Sequence, residues 1–164
     1  LTLLRAFKII NKKIRSKLLI IGSGKNKEII ENYIIKNNLR YSAKLIPFQI
    51  NPYKYINAAD LFVLTSQFEG LPNVLLEALS LKKFVISTNC PTGPSEILLR
   101  GKAGYLFKMG NYKQLAKKVF THYKNRRKNK LMTNYGYLNL SRYDYKKNCE
   151  KYLNLILDYL ENEH

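Results

Sequence analysis

From Phe62 to Leu79 the chain reads FVLTSQFEGLPNVLLEAL, and that order leaves few folds open. A short apolar run, Leu61 to Thr65, suits a buried strand. A tight turn carrying Glu69 follows, and then a helix from Asn73 to Leu81 carrying Glu77. A buried strand passing through a tight turn into a helix is half of a strand–helix–strand crossover, the unit from which parallel sheets are built.

The rest of the chain repeats the unit. Leu3, Phe7, Ile10 and Ile14 mark one face of an opening helix. Leu18 to Ile21 is a continuous apolar run ending in Gly22-Ser23-Gly24, which predicts a strand buried on both faces. Lys27 to Asn37 reads as helix and Lys44 to Phe48 as a second strand. Asn51-Pro52 resembles a cap followed by proline at the first helical position, opening a short helix to Ala59. After the Phe62–Leu79 segment come a strand from Phe84 to Ser87, a turn-rich stretch from Asn89 to Pro94, and a weaker strand from Ala103 to Phe107; in Cys90 to Glu96, Ser95 could cap a short helix and the stretch could line one side of a ligand cleft. Helices are predicted over Tyr112 to Tyr123, near Lys130 and from about Asp144 to Leu160. The expectation is an α/β fold: one parallel, Rossmann-like sheet with helices on both faces and right-handed crossovers, ending in a helical tail. Such sheets bind ligands at the carboxyl ends of their strands.

Composition narrows the class. A chain of 164 residues with 46% hydrophobic and 24% charged residues can bury a core, which sets aside wholesale disorder. No apolar run is long enough to span a membrane. Leu1 opens the chain already in mid-helix, so a piece of a longer protein is expected. Cys90 and Cys149 follow no metal-ligand spacing, and free thiols in a reducing cytoplasm are the natural reading. The net charge of +18 is extreme. It fits a polyanionic partner, and it fits equally a Lys-, Asn-, Ile- and Tyr-rich composition with no partner behind it. Lys124 to Lys130, KNRRKNK, is a true cluster that an anionic membrane would attract. No helix-turn-helix, zinc-finger or RNP pattern accompanies the charge, so nucleic acid is not the expected partner.

The chemistry points back to the opening segment. Pro72 suits the first helical position, leaving the amides of Asn73, Val74 and Leu75 free to meet a phosphate oxygen with the helix dipole behind them. Glu77 stands where a carboxylate can accept from two adjacent hydroxyls, as on a ribose. Glu69, in the turn, can reach a group beyond that phosphate. A solvated loop for Glu69 and a dipole-stabilising acid for Glu77 are the plain alternatives. The aspartates, Asp60, Asp144 and Asp158, are mutually remote, so no Asp-x-Asp site is present, and His122 and His164 form no ligand set with the cysteines. No metal and no cofactor are expected.

The segment resembles the Glu-x7-Glu signature of the retaining GT-B glycosyltransferases of group 1, or family 4. The resemblance continues in family order through LLIIGSG, NPYKYINAADLFVLTSQFEGLPNVLLEALSLKKFVISTNCPTGPSEIL and GKAGYLFKMGN. It covers nearly the whole chain and implies the C-terminal, donor-binding half of a GT-B enzyme. By that resemblance Glu69 would contact the donor hexose as the catalytic carboxylate and Glu77 would hold the ribose. Gly70, Leu71, Asn73 and Val74 would line the sugar and diphosphate, Phe48 would border the base, and Gly22 would belong to the donor site. Pro72 departs from the glycine of many members and removes one backbone donor.

The resemblance further implies a first strand, a loop with an Arg and a Lys that neutralise the diphosphate, and an acceptor-binding N-terminal domain, all ahead of Leu1. Residues 1–140 would form the nucleotide-sugar-binding domain, and 141–164 a tail returning toward that N-terminal domain. The function implied is transfer of a hexose from a nucleotide-diphosphate sugar, UDP by family frequency, with retained configuration and no metal. The acceptor would be a saccharide or a lipid-linked saccharide of bacterial surface polysaccharide or lipopolysaccharide. The place would be the cytoplasm, with peripheral contact at the inner face of the membrane, and this piece alone would be inactive. A nucleotide-binding module of the same fold without catalysis is the alternative.

Overall fold

The computed structural model describes residues 1–162; Glu163 and His164 lie outside the described residues. In chain order the elements are α1 (Thr2–Asn11), β1 (Leu18–Ile21), α2 (Lys27–Lys36), β2 (Ala43–Ile46), α3 (Tyr53–Ala58), β3 (Leu61–Leu64), α4 (Asn73–Ser80), β4 (Phe84–Thr88), α5 (Pro94–Ile97), β5 (Tyr105–Phe107), α6 (Tyr112–Lys124), α7 (Arg126–Leu138) and α8 (Tyr145–Asn162). Short 3-10 turns follow α5 at Leu99–Gly101 and α7 at Asn139–Tyr143. The fold is α/β and Rossmann-like with a helical tail, as expected, and every strand pair is parallel.

The single sheet expected from the sequence is instead two: β1–β2 and β3–β4–β5. β1 and β3 each pair on one side only, so each keeps an edge outside the hydrogen-bonded ladder. Helix α1 ties the halves together. Its Leu4 and Phe7 pack with Ile34, Leu39 and Ala43 over β1 and β2, while Ala6 and Ile10 pack with Phe84, Ile86, Phe107 and Leu115 over the larger sheet.

That larger sheet is sandwiched, and its side chains alternate as strand geometry requires. Leu61, Val63, Phe84 and Ile86 face α1 and α6, whereas Phe62, Leu64 and Val85 face Leu75, Leu79, Ile97 and Leu98 from α4 and α5 and the residues after them. All residues of β4 are buried. β1 departs from expectation: Leu18 and Ile20 join the α1–α2 cluster, but Leu19 is 42% exposed. Helices α1 and α2 cover β1 on the face that carries Leu18 and Ile20, and Leu19 points from the other face.

Two prolines sit one residue earlier than predicted. Pro72 is the N-cap of α4, with φ −71° and ψ 91°, and Asn73 is the first helical residue. Pro52 likewise caps α3, although Asn51 Oδ1 does accept the Tyr53 amide at 3.1 Å. Ser95 lies inside α5, where Gly93 at φ +84° is the cap and Pro94 takes the first position. Proline's fixed φ suits either place, and in both cases its missing N–H removes only a donor the helix start would leave orphaned.

Candidate functional site at the start of helix α4

β3 ends at Leu64, and the chain crosses to α4 through residues 65–72. Parallel pairing puts the end of β3 beside the end of β4, so this crossing lies at the carboxyl edge of the sheet. Glu69 is half-buried in it, and Glu77 is half-buried one turn into α4. Neither carboxylate has a hydrogen-bond or ion-pair partner among the described residues, unlike Glu31, which meets Lys27 at 4.0 Å. In a chain with a net charge of +18, two carboxylates flanking a helix start and engaged by no cation are uncommitted acceptors.

The amides of Asn73 and Val74 are also without a partner among the described residues, as expected at a helix start. The Leu75 amide is not free: it donates to the Pro72 carbonyl at 2.9 Å, so the expected trio of open donors is a pair. Gly70 and Leu71 are exposed beside them, and a Cβ added at Gly70 would meet nothing within 4 Å. Open space over Gly70, two free N–H groups and two free carboxylates thus fall between residues 69 and 77, around the positive end of the α4 dipole. The amides suit an anionic oxygen, and the carboxylates suit hydroxyl groups on either side of it.

Gly22 and Phe48 form a second group. Gly22 follows β1 at φ +147°, a conformation that favours glycine, and its amide donates to the Ile46 carbonyl at 3.0 Å. The Phe48 amide donates to Ser23 Oγ at 3.3 Å, binding the two loops. Phe48 lies beyond the end of β2, and at 69% exposed it is not the core residue that a phenylalanine at a strand end usually is. No hydrogen bond or ion pair among the described residues directly joins this group to Glu69, Glu77 or the α4 start. Each group sits at the carboxyl edge of its own half-sheet.

A hollow of about 260 Å³ lies at the opposite, amino edge, lined by Asp60, Lys82, Phe84, His122, Arg126 and Asn129. It is separate from the α4 surface. There the His122 ring stacks on Phe84, with centroids 4.5 Å apart, and burial together with neighbouring Arg126 lowers its pKa against a smaller opposing effect of Asp60.

The sequence profile of the glycosyl transferases group 1 family matches residues 1–139. The chain belongs to that family. A glycosyltransferase from Methanocaldococcus jannaschii is 45% identical over 97 residues, 58% of this chain and 24% of the relative. An N-acetylgalactosamine-N,N'-diacetylbacillosaminyl-diphospho-undecaprenol 4-alpha-N-acetylgalactosaminyltransferase of Campylobacter jejuni is 35% identical over 95 residues, 58% of this chain and 26% of that protein. Among solved structures, a point mutant of TarM from S. aureus, in complex with fondaparinux, alpha-GlcNAc-glycerol and UDP, superposes with a TM-score of 0.86 at 28% identity, covering 94% of this chain and 32% of TarM. This group 1 chain therefore spans about a quarter to a third of these three relatives. The half-sheets and helical tail are those of the C-terminal part of a GT-B fold.

Three further residues bear on the α4 surface. Phe68, 80% exposed next to Glu69, adds an apolar rim that its position in a turn did not advertise. Thr92 donates through Oγ1 to the Glu69 carbonyl, and Gly93 presses on Gly70 and Pro72. The sequence marks Thr92-Gly93-Pro94 as part of a turn-rich stretch that could line a cleft, but nothing in it points to Glu69 as its partner.

Proposed function

We propose that this chain is the donor-binding part of a retaining hexosyltransferase that uses a nucleotide-diphosphate sugar, with UDP as the nucleotide. The observation that carries the reading is the uncommitted set at the α4 start: the Asn73 and Val74 amides between two carboxylates with no partner among the described residues. The diphosphate lies against the amides, Glu77 accepts from the ribose hydroxyls, and Glu69 holds the hexose. Phe48 and Gly22 border the base. Charge developing on the departing diphosphate is met by amides and cations rather than by a metal, in keeping with a sequence that has no Asp-x-Asp pair. Cations for this role come from an Arg and a Lys in a preceding segment, which also supplies a strand and the acceptor domain toward which α8 packs.

The acceptor is a saccharide, free or lipid-linked, of a bacterial surface polysaccharide or lipopolysaccharide. The Campylobacter relative's polyprenyl-diphosphate-linked acceptor supports the lipid-linked form. No helix among the described residues is long and apolar enough to cross a membrane. The exposed basic corner between α6 and α7 (Lys124, Arg126, Arg127 and Lys128) suits peripheral contact with anionic lipid at the cytoplasmic face.

Titration of the chain with UDP, followed by amide NMR shifts, tests the reading. Shifts should concentrate on residues 69–77, and Glu77→Ala should abolish them. Undiminished UDP binding by the variant would overturn the role of Glu77.

A further inference from the structure

The backbone from residue 66 to residue 71 makes no hydrogen bonds within itself; the crossing is held from outside. Thr88, fully buried at the end of β4, donates through Oγ1 to the Ser66 carbonyl at 2.7 Å. Thr92 Oγ1 donates to the carbonyl of Glu69 itself. Gly93, at φ +84°, packs so closely that a Cβ there would collide with the Gly70 carbonyl oxygen and stand 2.6 Å from Pro72 Cδ. The end of β4 and two points of the loop after it therefore meet Ser66, Glu69 and Gly70–Pro72 in order. Glu77 does not depend on the Thr92 hydrogen bond, because α4 and its packing through Leu75 and Leu79 hold it.

We propose that Thr92, seated by Gly93, is a positioning residue for Glu69, and that it sets the preference of the site for a nucleotide sugar over the bare nucleotide. The inference rests on the reading that Glu69 meets the hexose and Glu77 the ribose. Loss of the Thr92 hydroxyl leaves the Glu69 carbonyl without its partner and lets the carboxylate leave the sugar, while the ribose and diphosphate contacts stay.

The test compares UDP and UDP-glucose binding by calorimetry for the chain and for Thr92→Val, Thr92→Ser and Glu77→Ala. Thr92→Val should weaken UDP-glucose about tenfold and leave UDP within about twofold, the scale of one lost hydrogen bond. Thr92→Ser, which keeps the hydroxyl, should restore the preference. In parallel, ¹⁵N relaxation of the free proteins should show lower order at Glu69 and Gly70 in Thr92→Val but not in Thr92→Ser, with α4 unchanged. Equal loss of both ligands, an unchanged UDP-glucose affinity, or unaltered order at Glu69 in Thr92→Val would each overturn the proposal. If Glu77→Ala leaves UDP binding intact while Thr92→Val still frees Glu69, the ribose assignment fails and the positioning role stands.

Discussion

Asn129 donates through Nδ2 to Nδ1 of His122 at 2.8 Å and accepts the Tyr105 hydroxyl on Oδ1 at the same distance. The same Nδ2 also donates to the His122 carbonyl at 3.1 Å. An imidazole that accepts at Nδ1 is neutral and carries its proton on Nε2. Protonation at Nδ1 would set two donors against each other. Burial and Arg126 act in the same direction, lowering the pKa of His122 from the usual 6.5.

A pH dependence of stability follows. Above pH of about 6.5 His122 is neutral in both folded and unfolded chains and costs nothing. As pH falls below that value the unfolded chain takes up a proton that the folded chain resists, so stability drops until the folded pKa is reached. Urea unfolding between about pH 7.5 and 5 should show this decline, and His122→Gln should flatten it. Asn129→Ala should cost about 1–3 kcal/mol at neutral pH by stranding its partners.

Two glycines outside the site should respond unequally to alanine. A Cβ at Gly104 would lie 2.6 Å from the Val85 carbonyl oxygen, a backbone atom in the middle strand. At Gly136 in α7 it would lie 3.0 Å from Ala103 Cβ and Leu79 Cδ2. There the rotatable Leu79 can yield, and alanine gains about 1 kcal/mol of helix propensity. Gly104→Ala should cost about 2–3 kcal/mol in urea unfolding, and Gly136→Ala about 1 or less.

The residues that sequence reading reached are those whose signal is local. Continuous apolar runs announced β3 and β4 because strands of a covered parallel sheet are apolar on both sides. The spacing of Glu69 and Glu77 placed them on either side of a helix start. Hidden features depend on what comes near from elsewhere. The run KNRRKNK reads as a uniformly basic surface, yet helical geometry turns Asn129 inward to 1% exposure. Leu19 looks like core until helices prove to cover the other face of its strand. Thr92 and Glu69 are 23 residues apart, and no spacing rule links two loops across a sheet edge.

The charge of +18 should make nucleic acid stick without making it a ligand. A DNA duplex should bind at about 50 mM salt and be lost steeply by about 200 mM, since binding driven by counterion release falls with the logarithm of salt. UDP binding through directed hydrogen bonds should fall far less over that range. Filter binding for the duplex and calorimetry for UDP measure both. Duplex affinity that persisted at high salt would point to base contacts that the sequence does not foreshadow.

Helix α8 should be dispensable for the folding of the rest. Its Leu153, Leu155, Ile156, Leu157 and Leu160 are between 47% and 65% exposed, so the helix buries little apolar surface against the α/β body. The body closes before it: Leu140 and Tyr143 pack with the α4 and β4 cluster, and the Tyr143 hydroxyl donates to Glu96 Oε1 at 3.4 Å. An isolated helix of this length is marginal in water. A chain ending at Asp144 should therefore melt within about 2–3 °C of the longer one. It should also bind less of a hydrophobic dye, because the exposed leucine face leaves with the helix. A large fall in melting temperature would show that α8 packs on the body in solution, and its apolar face would then have no need of another domain.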